Sequence, residues 1–249
     1  MKVIFTCGGT AGHVNPALAL AGYMRKQDPT VEILFVGTPY GIERGLVAEA
    51  GYDYRGIEVG SFERSMDLDS LRHNAKSAVE LLTLRRRAQA ILREFPADLV
   101  VGTGGYASYP MVKYAALQGI PTAVHEANMI PGLTTRMLEK HASRIRVGCE
   151  ECRIHYKHPE RIVVTGTPVR GDFFDMSHDE AKASLGIPAE QPLVVSFWGS
   201  LGASTMNRQM LDFFEKERSD GYPFRHIHAA GDRSWTWMQP ELERRGLTG

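Results

Sequence analysis

The chain has 249 residues, 43% of them hydrophobic and 23% charged, and its 29 basic and 29 acidic side chains cancel to a net charge of zero. That length suits one large domain or two smaller ones, and the composition supplies a real core. The balanced charge leaves no global basic field for nucleic acid, no apolar run approaches the ~20 residues of a membrane-spanning helix, and an odd count of three cysteines sets no disulfide framework, which points to a reducing cytoplasm.

From Met1-Lys2 the chain moves straight into the apolar run Val3–Phe5, without the long apolar region of a signal peptide. Gly8-Gly9-Thr10-Ala11-Gly12-His13 follows, and then Pro16–Ala21 opens a helical pattern. Strand, glycine turn and helix in that order place backbone N–H groups and a positive helix end where an anionic group can approach. The spacing fits neither G-x-G-x-x-G nor a P-loop, because no Gly-Lys-Ser/Thr follows. Further strands are expected over 33–36, 99–101, 122–125, 144–147, 162–165 and 193–197, with helices near 16–27, 41–50, 68–94, 109–118, 132–141 and 177–185. This alternation predicts an α/β fold with a mostly parallel, doubly wound sheet, whose ligands bind beyond the carboxyl ends of the strands. Two more glycine loops, Gly102-Thr103-Gly104-Gly105 and Gly199-Ser200-Leu201-Gly202, fall on such ends.

Around Gly166-Thr167-Pro168-Val169-Arg170 the pattern breaks, and strand 193–197 with its glycine loop repeats the opening device of the chain. We expect a first domain over 1–168 and the first part of a second over 169–249. About 80 residues hold only two or three β/α units of that second domain, so a C-terminal truncation is expected.

Five segments together resemble the MurG-type glycosyltransferases: Gly8–Ala17, Gly102–Tyr106, His125-Glu126-Ala127-Asn128, Gly166–Arg170 and Gly199–Ala203, in the family's order and at its spacing. The resemblance covers the whole chain. It implies the GT-B architecture of two Rossmann-like domains facing a cleft, the second incomplete here. It also implies transfer of N-acetylglucosamine from UDP-N-acetylglucosamine to the 4-hydroxyl of lipid I, forming lipid II at the cytoplasmic face of the membrane. Neither a metal nor another cofactor is implied, and Asp67-Leu68-Asp69 opens a helix, where Asp is an ordinary first-turn residue.

Each candidate residue carries two readings. His13, at a helix start, can take the proton of the acceptor hydroxyl as general base, or bind an acceptor phosphate and cap the loop. Glu126 is the rival base. Asn128, which the resemblance places on the donor sugar, can otherwise shape the turn before Pro131-Gly132. Gly104, Gly105 and Tyr106 can meet the acceptor, or the glycines can simply serve a turn that needs positive φ. The resemblance puts Arg170 on the donor diphosphate, with an interdomain salt bridge as the alternative; Ser200 and the backbone of Gly199, Gly202 and Ala203 open a helix and can cradle the same diphosphate, and Thr10, Ala11 and Gly12 are expected to bind the donor. Cys149-Glu150-Glu151-Cys152 reads as ordinary thiols, since its nearby His155 and His158 are crowded for zinc. Leu71, Ala75, Val79, Leu82, Ile91 and Leu92 with Arg85, Arg86, Arg87 and Arg93 form a basic amphipathic pattern that suits either an anionic membrane surface or a core helix with a solvated face. A UDP-N-acetylglucosamine 2-epimerase of the same fold, which should lack that helix and the 104–106 acceptor loop, and a non-catalytic acceptor half that anchors a partner chain, are the rival functions.

Overall fold

The computed structural model describes residues 1–59, 70–199 and 202–247 of the chain. It divides into two compact units, Met1–Phe173 and Phe174–Gly249.

The first unit runs β1 (Lys2–Thr6), α1 (Ala11–Gln27), β2 (Glu32–Gly37), α2 (Ile42–Glu49), β3 (Asp53–Gly56), α3 (Ser70–Glu94), β4 (Leu99–Gly102), α4 (Ser108–Leu117), β5 (Thr122–Glu126), α5 (Leu133–Leu138), β6 (Arg144–Val147) and β7 (Ile162–Val164). Among the described residues its seven strands form one parallel sheet in the order β3-β2-β1-β4-β5-β6-β7. Successive side chains of a strand point to opposite faces, and the core splits accordingly. Val3, Phe5, Ile33 and Phe35 pack with Val14, Ala17, Leu18 and Ala21 of α1 and Val47 of α2. Ile4, Leu34 and Val36 pack on the other face with Ala88, Ile91 and Leu92 of α3 and Met111, Val112 and Ala115 of α4. A sheet buried on both faces needs near-continuous apolar strands, as in Val3–Phe5 and Ile33–Val36.

Every strand expected from the sequence is present. The short, polar β3, Asp-Tyr-Arg-Gly, is an addition: it has no apolar run because it is an edge strand with exposed residues, paired only to β2. The first helix begins at Ala11, five residues before the expected start, so Pro16 lies inside it. The glycine turn is correspondingly short, and Pro16 withholds only the one bond its absent N–H would give to Gly12.

The second unit contains α6 (His178–Ser184), β8 (Leu193–Phe197), α7 (Ser204–Ser219), β9 (Arg225–Ala229) and α8 (Asp232–Arg244). Ser177 and Glu180 form a reciprocal capping box that starts α6. β8 and β9 pair in parallel. Their inner face meets a small cluster of Met210, Leu211, Ala230 and Met238, with Phe214 and Trp237 packed on it.

Candidate functional site

The strand order of the first unit reverses at β1, whose neighbours are β2 and β4. At such a reversal the connections leave toward opposite faces and open a crevice beyond the carboxyl ends of the two strands. The loops after β1 and β4 flank this crevice, and they interlock. Thr103 N–H donates to the Thr6 carbonyl at 3.0 Å, the Thr103 hydroxyl donates to the His13 carbonyl at 2.6 Å, and the Ser108 hydroxyl lies 2.7 Å from the carbonyls of both Thr6 and Gly104. The fit leaves no room for side chains. A Cβ on Gly105 would lie 2.2 Å from the Gly8 carbonyl oxygen, and one on Gly104 would lie 2.4 Å from the His13 ring. Both glycines also have positive φ, +84° and +116°. They are therefore required by close approach as well as by backbone conformation.

Thr10 is the N-cap of α1, and Ala11, Gly12 and His13 form its first turn; the first N–H groups of a helix lack an i−4 partner, and of these the His13 N–H donates to the Thr10 carbonyl at 3.0 Å. His13 Nδ1 lies 2.8 Å from the Gly8 carbonyl. A carbonyl only accepts, so Nδ1 carries the hydrogen, and in the neutral ring Nε2 keeps its lone pair. Among the described residues Nε2 has no partner.

Glu126 ends β5, is buried, and is saturated. Its Oε1 accepts from Asn128 N–H at 3.0 Å and from Asn128 Nδ2 at 2.7 Å, and its Oε2 from Gly132 N–H at 3.0 Å and from the Thr135 hydroxyl at 2.6 Å. This carboxylate shapes the 126–135 loop and aims the Asn128 amide, whose Oδ1 stays available on the exposed side. His125, one residue earlier, is buried, with Nε2 3.2 Å from the Gly166 carbonyl and Nδ1 without a partner among the described residues. Burial holds its pKa below the ordinary imidazole value, as befits a packed strand-end histidine. Tyr106 is exposed, and Arg170 is exposed with its guanidinium carbon 5.8 Å from the Phe173 ring centre.

Sequence reasoning missed Glu43, the fully buried carboxylate of α2. It accepts from Thr38 N–H at 2.8 Å, the Thr38 hydroxyl at 2.6 Å and Gly9 N–H at 3.3 Å. An acidic residue in a first helical turn is unremarked in a sequence. The only trace is the glycines around it. Thr103, Ser108 and Thr135 were also missed, because hydroxyls that tie loops together carry no spacing signature.

Cys149 and Cys152 have sulfurs 3.3 Å apart, and Cys152 Sγ lies 3.9 Å from the Asn128 carbonyl. Among the described residues no three His, Cys, Asp or Glu side chains gather as a metal site. On α3 the buried row is Leu84, Ala88, Ile91 and Leu92, while Leu82, expected on the apolar side, is exposed beside Arg85, Arg86 and Arg87. Helical spacing admits both rows, and packing on α4 selects the first. The side chains of Leu71, Ala75 and Val79, and the segment with Asp67 and Asp69, lie outside the described residues.

In the second unit, Gly199 and Gly202 follow β8 with φ of +70° each, and Ala203 is the N-cap of α7. A Cβ on Gly202 would meet the Ala230 carbonyl at 2.1 Å, and the buried Asn207 amide donates to that carbonyl at 2.8 Å. The loops after β8 and β9 therefore touch each other at one strand edge. Ser200 lies outside the described residues.

Among curated proteins, the UDP-N-acetylglucosamine--N-acetylmuramyl-(pentapeptide) pyrophosphoryl-undecaprenol N-acetylglucosamine transferase of Acetivibrio thermocellus is 38% identical over 97% of this chain and 64% of its own length. The protein of the same name from Desulforudis audaxviator is 36% identical over 100% of this chain and 65% of its own. The chain thus spans about two thirds of these relatives. Among solved structures, Acinetobacter baumannii MurG matches with a TM-score of 0.65 at 23% identity, over 96% of this chain and 61% of that one. The UDP-GlcNAc 2-epimerase of Neisseria meningitidis matches with 0.57 at 12%, over 98% and 69%. At these identities the two structures share the fold alone. The profile of the glycosyltransferase family 28 N-terminal domain matches residues 3–147, more than half of the chain and the whole β1–β6 sheet with its crevice: the chain belongs to glycosyltransferase family 28.

Proposed function

We propose that the protein serves as an inverting hexosyltransferase that moves N-acetylglucosamine from UDP-N-acetylglucosamine to the 4-hydroxyl of the muramyl sugar of lipid I, forming lipid II for peptidoglycan. The observation that carries this reading is the state of His13: Nδ1–H is engaged by the Gly8 carbonyl, and among the described residues nothing bonds Nε2 at the β1/β4 crevice. The names of the relatives at 36–38% identity supply the substrate pair.

In this reaction the acceptor oxygen attacks the anomeric carbon while its proton passes to His13 Nε2. The bond from the anomeric carbon to the diphosphate oxygen breaks, and UDP departs with the electron pair. Of the two candidate bases, His13 suits the role better, because both oxygens of Glu126 are spent on four donors. Glu126 then acts by holding Asn128, whose Oδ1 accepts from a hydroxyl of the donor sugar. Tyr106 with Gly104 and Gly105 borders the acceptor. In the first unit the leaving diphosphate is met by the N–H groups at the α1 start, at Thr10, Ala11 and Gly12, and by Arg170; taken by itself, the second unit offers N–H groups of the same kind at the α7 start, with Gly199, Gly202 and Ala203. The lipid acceptor requires the protein to work at the cytoplasmic face of the membrane. No described helix is long and apolar enough to cross it, and the exposed arginines of α3 supply a peripheral contact.

The test is transfer of labelled N-acetylglucosamine to a lipid I analogue. His13→Ala is expected to lower kcat by about 10²–10⁴-fold without unfolding. Glu126→Ala is expected to lower thermal stability sharply, since four donors lose their acceptor. If both variants keep wild-type kcat, or if the labelled donor is epimerised at C2 instead, the reading is overturned.

A further inference from the structure

The fold makes unusual room for one carboxylate. Glu43 is fully buried, and three glycines vacate the space around it. A Cβ on Gly8 would lie 2.7 Å from Oε1 and one on Gly37 2.7 Å from Cγ. A Cβ on Gly41 would overlap the carboxylate outright. Burying a carboxylate is costly unless its oxygens are bonded, and here both are: Oε1 to the Thr38 N–H and hydroxyl, Oε2 to the Gly9 N–H.

The Gly9 N–H belongs to the same amide plane as the Gly8 carbonyl. That carbonyl is the acceptor of His13 Nδ1–H at 2.8 Å. A carboxylate on the N–H side of an amide polarises it and makes its oxygen a better acceptor, since consecutive hydrogen bonds strengthen one another. In the Ser-His-Asp arrangement the carboxylate touches the imidazole directly and fixes its tautomer. Here one peptide group stands between them.

We propose that Glu43 is a positioning residue that acts on His13 through the Gly8–Gly9 peptide, holding the ring as the Nδ1–H tautomer with the Nε2 lone pair free. The inference rests on the reading of His13 as the base. The neighbouring groups leave this role to Glu43. Cys7, the residue after β1, is buried, and burial together with Glu43 pushes its thiol up to about 12. Tyr54 on β3 is raised by burial first and by Glu43 next, and its hydroxyl donates to the Thr38 carbonyl at 2.6 Å. Both stay protonated at neutral pH. Arg44, next to Glu43 on α2, is exposed. Glu43 is thus the buried charge at this loop.

The experiment is ring-nitrogen NMR of the full 249-residue chain labelled with ¹⁵N-histidine, at a pH where the rings are neutral, with His13 assigned by the loss of its signals in His13→Gln. The wild type is expected to show hydrogen on Nδ1 and none on Nε2. Glu43→Gln keeps the shape but offers an NH2 toward Gly9 or Thr38, and is expected to move a measurable share of His13 to the Nε2–H form. Thr38→Val removes one bond to Oε1 and keeps the charge, and is expected to leave the tautomer unchanged even where it lowers Tm. Three results overturn the proposal: a wild-type ring with hydrogen on Nε2, a tautomer indifferent to Glu43→Gln, or an equal change in Thr38→Val. If Glu43→Gln does not fold, Glu43→Asp, whose shorter side chain withdraws the carboxylate from the Gly9 N–H, is read in its place: a share of the Nε2–H form supports the proposal, and an unchanged tautomer overturns it. In transfer assays Glu43→Gln is expected to lower kcat about tenfold or more while KM stays within about threefold. A wild type that shows the Nδ1–H form but transfers no sugar sinks the functional reading and leaves the relay standing.

Discussion

At the scale of single residues, the β1/β4 crevice is built from atoms that side chains would displace. Gly9 and Gly105 both have left-handed φ, +89° and +84°, but nothing lies near a Cβ on Gly9, whereas one on Gly105 would strike the Gly8 backbone. Gly9→Ala should therefore cost only the conformational strain, about 1–2 kcal/mol. Gly105→Ala should cost that plus overpacking, about 2–5 kcal/mol in all. Urea unfolding of the two variants checks this ranking, and equal losses would mean that the loops do not interlock. Buried histidines make stability depend on pH just below neutrality. Burial lowers the pKa of His125, of His141 and, in the second unit, of His228. Each is bound neutral in the folded state, while the unfolded chain takes up the proton near 6.5. The unfolded state thus binds more protons below that pH, so stability is fully present above about 6.5 and falls as the pH drops toward the folded values. Tm is expected to decline below about pH 6.5. His125→Gln, which retains a donor for the Gly166 carbonyl, should flatten the decline by less than one proton's linkage. An unchanged slope would remove His125 from the account.

Among the elements, α3 carries two rows of side chains. Leu84, Ala88, Ile91 and Leu92 are buried, while Arg85, Arg86 and Arg87 are exposed beside Leu82. Arg87 also pairs with Glu58 at 2.5 Å and donates to its carbonyl, an exposed contact of small energetic weight. Each arginine near an anionic surface contributes about 1 kcal/mol, screened by salt. Replacing Arg85, Arg86 and Arg87 with Ser should reduce binding to anionic vesicles by more than about tenfold at low salt, leave neutral vesicles nearly unaffected and barely move Tm. Vesicle binding that survives while stability collapses would assign the arginines to the fold.

At the scale of the whole molecule, the two units differ in how much they bury. The first has a sheet covered on both faces by two extensive apolar clusters. In the second, two strands rest on a cluster of four buried residues, and Val195, Phe197 and Ile227 are 56%, 64% and 38% exposed. A buried apolar surface stabilises roughly in proportion to its area, and a two-stranded sheet depends on the helices packed on it. Calorimetry of the chain should therefore show two transitions, with the 174–247 unit melting first. Limited proteolysis should release a resistant fragment ending near residue 173. A single cooperative transition would contradict this difference.

The sequence by itself determined the α/β class, the order of strands and helices in the first unit, and which loops lie at strand ends, because apolar periodicity and glycine turns are local properties of the chain. Val3–Phe5, Leu99–Val101 and Thr122–His125 were legible as strands for this reason, and His13, Gly104, Gly105 and Asn128 as residues of their loops. The polar edge strand β3 was not, since its single partner β2 supplies what its own pattern lacks. Only the tertiary structure decided what those residues touch. It committed Glu126 to four donors, took up Nδ1 of His13 with the Gly8 carbonyl, and placed Glu43 on the far side of the same peptide, 34 residues from Gly9 in sequence. Contacts of that separation exist only once β1, β2 and β4 lie side by side, and a carboxylate's bonding depends on which backbone N–H groups the packed sheet brings within reach.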